Sequence, residues 1–249
     1  MKTTPTRAVL FNGPASSGKD DAINHLLATG WDFTRRECKD HLHKLTQSLF
    51  CISPVKYWGI YNNRAAKEEP NPHFRVTLQS DNLIKLGEAL SVRISDIMYR
   101  SPLRVLVDKT GSRKGESIMT VQLNLSIREA VIYVSEVLCK PTHGEEYFGI
   151  VRAGSVVLGE EDIIDGSASA FVVGGEVVCD EVPPLIDRLG EENVLLIRVH
   201  REGYTFKGDS RRYIPDGVVP NTVDVYNDST LGEYFRKVKV EVSRFYNFK

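Results

Sequence analysis

The chain first becomes legible at a short apolar run, Ala8 to Phe11, with polar residues on both sides. Four apolar residues closed by Asn12-Gly13 predict a short buried strand. After Gly18 the pattern changes period, and Lys19 to about Ala28 predicts an amphipathic helix. Trp31 to Arg36 predicts a short second strand, or an extended segment beside the first. Glu37 to Phe50 sets Leu42, Leu45, Leu49 and Phe50 on a helical stripe. Ser126 to Leu138 is the clearest later helix. Ile127, Val131, Val134 and Leu138 recur on one face, and Ser126 with Glu129 has the spacing of a capping box. Pro184 to Leu189 predicts a helix stopped at Gly190. Asn193 to Val199 is a strongly apolar strand, Thr222 to Tyr226 a last short one, and Leu231 to Phe245 a final helix.

The middle of the chain is less regular. Tyr57 to Pro72 is polar and aromatic and ends in a Pro-Asn-Pro breaker. Asn82 to Met98 predicts a helix on the stripe Leu83, Leu86, Leu90, Ile94 and Ile97, and Leu103 to Asp108 a strand. Residues 110–116 read as a turn or loop. Together, residues from about 55 to about 122 predict a region inserted into, or covering, a single domain that spans 1–249. Further on come the short apolar runs Ser155 to Leu158, Ile163-Ile164, Phe171-Val-Val and Glu176-Val-Val-Cys179, of which one or two are expected as central strands. Strands alternating with helices predict an α/β fold whose mainly parallel sheet is covered by helices on both faces.

Chemistry enters at the first strand–helix junction. Gly13 and Gly18 bracket four residues and Lys19 follows. This is the spacing of the phosphate-binding loop, so the three-layer fold expected is that of the P-loop NTPases. Glycines let the backbone N–H groups turn inward around an anion, and the following helix adds its positive end. The residues expected at the phosphates of ATP are Gly13, Ser16, Ser17, Gly18, Lys19, Asp20 and Asp21. The motif normally closes on a Ser or Thr hydroxyl that binds Mg2+; here Asp20 stands there, either as a metal-facing oxygen or as a helix cap. The ligand is expected at the carboxyl edge of the sheet.

Composition narrows the classes further. A formal net charge of -1 gives no overall electrostatic case for nucleic-acid or membrane binding. No window approaches the ~18 apolar residues of a membrane span, and the N-terminus carries no signal-peptide core. Cys38, Cys51, Cys139 and Cys179 match no metal or redox spacing and are expected as reduced thiols, mostly in or near the core, in a cytoplasmic protein. His41 and His43 point apart on a helix and are expected at the surface. Arg35, Arg36 and Lys39 stand at a strand–helix junction, either as a solvated charged face or as contacts to a substrate phosphate.

Several segments then resemble one family. Arg128-Glu129, Tyr133-Val-Ser135-Glu136, Lys140-Pro141 and Tyr147-Phe-Gly149 are similar to segments of the bacteriophage-type deoxynucleoside monophosphate kinases, a branch of the P-loop nucleoside monophosphate kinases. Gly18-Lys19-Asp20, Arg64-Ala-Ala-Lys67-Glu68, Glu181-Val-Pro-Pro, Leu195-Leu-Ile-Arg-Val, His200-Arg201-Glu-Gly, Asp209-Ser-Arg211 and Asp224-Val-Tyr-Asn227 extend the resemblance over most of the chain. It departs from the family at Asp21, where Thr is usual, and at Tyr133, where His or Gln is expected. The resemblance implies transfer of the ATP γ-phosphoryl group to the 5′-phosphate of a deoxynucleotide, with Mg2+, giving a deoxynucleoside diphosphate and ADP for DNA synthesis. Lys19, Arg128 and Arg211 would be the catalytic cations. Arg36, Lys39, Arg64, Lys67, Arg128, Tyr133, Glu136 and Glu181 would bind the acceptor. Arg201, Arg211 and Arg212 would form a lid at about 200–215. Asp20 and Asp165 are the metal candidates, with Asp180 competing with Asp165 for the acid that ends a strand. The implied partners are small-molecule nucleotides, with no nucleic acid and no membrane; a homodimer is compatible, and a phage-encoded protein would act in the host cytoplasm. Two alternatives stay open: a P-loop phosphotransferase with another small acceptor, and a P-loop ATPase or regulatory module that is not a kinase.

Overall fold

The computed structural model describes residues 5–90, 92, 93, 95, 96, 99, 102–108, 118–173, 175–209 and 211–247. The chain divides into two compact units, one formed by Met1–Asp40 with Glu146–Lys249 and the other by His41–Glu145.

The first unit is built on five strands: β1 (Ala8–Asn12), β2 (Phe33–Arg35), β6 (Asp162–Asp165), β9 (Val194–His200) and β11 (Asn221–Tyr226). Their order across the sheet is β11-β9-β1-β6-β2, and every pairing is parallel. Buried on both faces, β1 and β9 read as continuous apolar runs, as parallel strands do. Their side chains alternate between two cores. Ala8, Leu10, Ile163, Val194 and Leu196 meet Ala153, Leu185 and Leu189 from the helices Tyr147–Ser155 and Pro183–Leu189. Val9, Phe11, Ile164, Leu195 and Ile197 meet Ala22, Ile23 and Leu26 of α1 (Lys19–Ala28), and Tyr234, Val238 and Val242 of the C-terminal helix Leu231–Asn247. This is helix, sheet, helix in three layers, with β1 at the centre.

Three short strands, β7 (Ala170–Val173), β8 (Glu176–Val178) and β10 (Arg211–Arg212), form a separate antiparallel sheet in the order β10-β7-β8. Of the four apolar runs between Ser155 and Cys179, only Ile163-Ile164 supplies a central strand; Ser155 to Leu158 forms none.

The second unit holds α3 (Pro54–Tyr61), β3 (Arg75–Gln79), α4 (Ser80–Leu90), β4 (Pro102–Asp108) and β5 (Ile118–Asn124). Its sheet is antiparallel, in the order β3-β5-β4. It has its own core, in which Tyr57, Phe74, Leu78, Leu86, Leu123 and Ile127 are buried. The compact unit His41–Glu145 extends beyond 55–122 at both ends, where Phe50 and Ile52 on one side and the helix from Ile127 on the other pack into its core. Ile94 and Ile97, and the loop at 110–116, lie outside the described residues. The capping box at Ser126 and Glu129 forms in both directions. The helix it opens is α-helical only over Ile127–Ile132; Tyr133–Cys139 is π-helical, and Lys140–His143 closes the run. The buried set includes Ala130 and Val137, which the expected stripe omits.

One expectation is corrected. His43 is buried, with Nδ1 2.6 Å from the Tyr57 hydroxyl, because α3 lays its aromatic residues against it. Cys51 is exposed, while Cys38 is buried and Cys139 and Cys179 are partly so.

Candidate functional site

The carboxyl end of β1 leads into the loop from Gly13 to Gly18, and the loop into α1. Both glycines are required by close approach. A Cβ on Gly13 would stand 2.6 Å from the Val199 carbonyl oxygen, and one on Gly18, at φ +104, 2.6 Å from Asn227 Nδ2. Three contacts hold the loop's carbonyl groups from outside. Arg201 Nη1 donates to Ser16 O at 3.0 Å, Asn227 Nδ2 to Ser17 O at 2.9 Å, and the Tyr234 hydroxyl to Gly18 O at 3.1 Å. With its carbonyls turned to these donors, the loop is held by groups just beyond β9 and β11 and by the C-terminal helix. No side chain caps α1, which leaves the first-turn N–H groups of that helix to a ligand or solvent. The Ser17 hydroxyl is buried and has no hydrogen-bond partner among the described residues. A buried hydroxyl so placed is a site where a ligand oxygen could be satisfied.

Lys19 folds back over the loop and donates to Gly13 O at 2.6 Å and Pro14 O at 2.7 Å. Burial, and next the Arg211 guanidinium, lower its ammonium to about 8; Lys39 acts in the same sense, while Asp20 and Asp209 oppose. The loop lysine therefore sits among further cations. Arg35, at the end of β2, donates to Asp20 Oδ1 at 2.9 Å and through Nε to Glu37 Oε1 at 2.6 Å. Lys39 Nζ stands 2.9 Å from Glu37 Oε2. Arg36 turns the other way and pairs with both oxygens of Glu161, at 3.0 and 3.1 Å. Of the candidates beside β2, Arg35 reaches Asp20 in the first turn of α1, Lys39 shares Glu37 with it, and Arg36 turns to Glu161. Strand alternation is the signal that separates the two arginines.

Asp165, not Asp180, ends the strand beside β1, in register with Leu10. Its carboxylate is fully buried. One oxygen is paired with Arg152, and the other accepts from the Ser167 N–H and hydroxyl, both at 2.7 Å. Arg152 is itself buried and also donates to Glu181 O at 2.6 Å. The same carbonyl lies 3.9 Å from Cys38 Sγ, whose thiol burial pushes well up. Arg152 carried no sequence signal: it lies in an apolar helix whose pattern does not announce a charge.

The segment expected as a lid is tied down at several points. Asn12, the last residue of β1, donates to Ala168 O and Arg212 O and accepts from the Ile214 N–H. Arg211 pairs with Asp209 at 2.6 Å, and Arg212 Nη1 donates to Asp209 O at 2.5 Å. Arg201 lies 4.6 Å over the Tyr204 ring. His200 stacks between Tyr213 and Tyr226 and bonds Asp224 at 2.6 Å.

In the second unit the acceptor candidates range from exposed, at Arg64 and Arg128, to half-buried, at Lys67, Tyr133 and Glu136. Arg128 and Glu68 meet at 3.4 Å with 58% and 54% of their side chains exposed. Lys67 lies 3.8 Å over the Tyr61 ring. Glu136 pairs with Lys140 at 3.0 Å and accepts from the Ser135 hydroxyl, and burial raises the Tyr133 phenol. Arg64 is exposed.

The donors do not fit a metal held by the protein alone. Among the described residues no group of three or more His, Cys, Asp or Glu side chains could hold an ion. Asp165 has both oxygens engaged, and one oxygen of Asp20 is on Arg35. Also among the described residues, no helix is long and apolar enough to cross a membrane. No protein-family model matches the chain. No curated protein matches it either.

Proposed function

We propose that this protein is an ATP-dependent phosphotransferase that converts a deoxynucleoside monophosphate to the diphosphate. The observation that supports it most is the loop at the carboxyl end of the central strand, with Lys19 folded over it and Arg35, Lys39 and Arg211 around it. Loop N–H groups, a helix start and clustered cations suit a polyphosphate. The same sheet edge is where α/β folds take ligands.

In the reaction, an oxygen of the acceptor phosphate forms a bond to the γ-phosphorus of ATP. The bond from that phosphorus to the β,γ-bridging oxygen breaks, and ADP leaves with its electron pair. The attacking oxygen is already ionised, so no general base is needed. Catalysis rests on alignment and on charge neutralisation. Lys19 would exchange its two carbonyl partners for the phosphates of ATP, and Arg211 would give up part of its pairing with Asp209 to reach them. A divalent cation would arrive on the nucleotide, since among the described residues no group of donors could hold one alone. Arg128, Arg64, Lys67, Tyr133 and Glu136 enter as acceptor contacts through the family resemblance alone.

The test is ADP release from ATP with each deoxynucleoside and ribonucleoside monophosphate in turn. Turnover that depends on a deoxynucleoside monophosphate supports the proposal. Release that is the same without any acceptor identifies an ATPase, and release only with a small alcohol identifies a different phosphotransferase.

A further inference from the structure

The tip of the loop carries a strain that its two glycines do not. Pro14 to Ser17 forms a turn, with the Ser17 N–H donating to Pro14 O at 3.3 Å. Ser16 stands third in that turn, at φ +60. Such a left-handed backbone suits glycine, and a serine keeps it only where its surroundings hold it there. Among the described residues, Cys51 alone shares a positive φ without being glycine.

A second turn supplies the hold. The Tyr204 N–H donates to Arg201 O at 3.1 Å, and the third residue of this turn is Gly203, at φ +78. The turn brings the Tyr204 ring under Arg201, whose guanidinium lies 4.6 Å from the ring centre. Supported in this way, Arg201 Nη1 donates to Ser16 O at 3.0 Å. The turn at 201–204 is relaxed by its glycine. The turn at 14–17 keeps a serine, and a cation sits on that serine's own carbonyl. Three successive loop carbonyls are held from outside, by Arg201, Asn227 and Tyr234, but only the first belongs to a residue under left-handed strain. Lys19 adds a hold through Pro14 O. In the proposed reaction Lys19 releases that carbonyl, so the outside donors must keep the turn in place while the phosphates are bound.

We infer that Arg201 is a positioning residue: it holds Ser16 in its left-handed conformation, keeps the phosphate loop in shape for ATP, and is not a lid cation that closes over the nucleotide. The bearing on ATP rests on the proposed function and deepens it. The brace itself belongs to the ligand-free chain.

The experiment is a double-mutant cycle on the full-length protein, with Arg201→Ala and Ser16→Gly made singly and together, and with Arg201→Lys as the conservative change. It measures calorimetric binding of ATP with Mg2+, KM for ATP and for the best deoxynucleoside monophosphate, and hydrogen exchange of the Ser17 N–H without nucleotide. Arg201→Ala should weaken ATP binding about tenfold and speed that exchange by a similar factor, the order expected when a strained residue loses its outside support. The monophosphate KM should stay within about twofold of wild type, since the brace acts on the ATP side alone. Arg201→Lys, which keeps a cation able to reach Ser16 O, should fall between wild type and Arg201→Ala. Made on top of Ser16→Gly, Arg201→Ala should cost less than about threefold, because glycine takes a positive φ without help. An equal cost with and without Ser16→Gly would mean that Arg201 touches ATP itself, and would overturn the inference. So would unchanged exchange of the Ser17 N–H in Arg201→Ala. Failure of the underlying function is separable. If wild type binds no ATP, the proposed function falls, and the exchange measurement still decides the brace: it stands if Arg201→Ala speeds exchange less on top of Ser16→Gly than alone, and falls if the two are equal.

Discussion

Two sets of cations from the same chain are held in opposite ways. At the loop, Lys19 is bonded to two backbone carbonyls and Arg35 and Lys39 to a buried carboxylate. In the inserted unit, Arg128 meets Glu68 at 3.4 Å with both side chains more than half exposed. The first arrangement has ordered its side chains before any ligand arrives. The second still has rotamer entropy to lose, and an exposed pair is worth only about 0–1 kcal/mol. Resemblance at the level of residue type ranks Arg128 first among acceptor contacts; physical preorganisation ranks the loop cluster first.

The largest test of this contrast is Lys19→Ala. Under the proposed function, phosphoryl transfer should drop by roughly 10³-fold or more, since the cation proposed at the transferred group is lost. The melting temperature should change little. Wild-type turnover in the purified variant would remove the loop from the mechanism.

Next in size is a stability effect at Arg152. Removing it by Arg152→Ala leaves the carboxylate of Asp165 buried without its partner, which should cost about 3–5 kcal/mol and lower the melting temperature by roughly 10 °C. The double change Arg152→Leu with Asp165→Leu should recover much of that loss. A single variant that melts like wild type would show the pair to be far less desolvated than its geometry says.

A third test uses pH. Lys19 titrates at about 8 in the folded protein against its ordinary 10.5, burial being the first cause and Arg211 the second. Between those values the unfolded chain binds more protons, so the ligand-free protein should gain stability as pH rises through that window. Lys19→Met should lack that gain. In the same window the free protein loses a charge that the proposed reaction needs, so under that proposal kcat/KM for ATP should fall above pH 8, while kcat, read with the phosphates bound, falls later. A kcat/KM profile flat to pH 10 would place Lys19 outside ATP capture.

The smallest effect belongs to Arg128→Ala. Its stability change should stay within about 0.5 kcal/mol, measured by denaturant midpoint. If Arg128 does contact the acceptor phosphate, the monophosphate KM should rise by an amount equivalent to about 1.5–3 kcal/mol with ATP unaffected. A defect confined to ATP would contradict both assignments.

Legibility in the sequence follows the range of the interaction. The strand, glycine-bracketed loop and first helix are local, and they stand close to where the residue pattern puts them. So do the apolar strand at Val194–His200 and the C-terminal helix. The order of the sheet is not local. Nothing in Ile163-Ile164 says that this pair lies beside β1 while Phe171-Val-Val does not. In the inserted unit, β3 alternates buried and exposed residues over Arg75–Gln79, but the run follows directly on Pro72–Phe74 and was hidden by that breaker. At the site, Lys19 is legible because a motif fixes it. Glu37 and Arg152 are not, since what sets them apart is burial with partners 2 to 29 positions away. The choice between Arg35 and Arg36 needed the strand's two-residue alternation, and a three-residue strand is too short to reveal its phase.

The π-helical stretch Tyr133–Cys139 has a consequence of another kind. A π turn is what an α-helix becomes when it absorbs one surplus residue without breaking. Positions beyond it are then about 100° out of phase with those before it. Positions from Lys140 onward are therefore offset by one from the α-helical register, while Val134 and Val137 still follow Ile127 and Ala130 at helical spacing. A variant shortened by one residue within 133–139 should regain a continuous α-helix, read as stronger helical circular dichroism per residue, while Glu136 and Lys140 swing to a different side of it. The length of this one segment, and not the identity of its residues, decides which of its polar groups are presented.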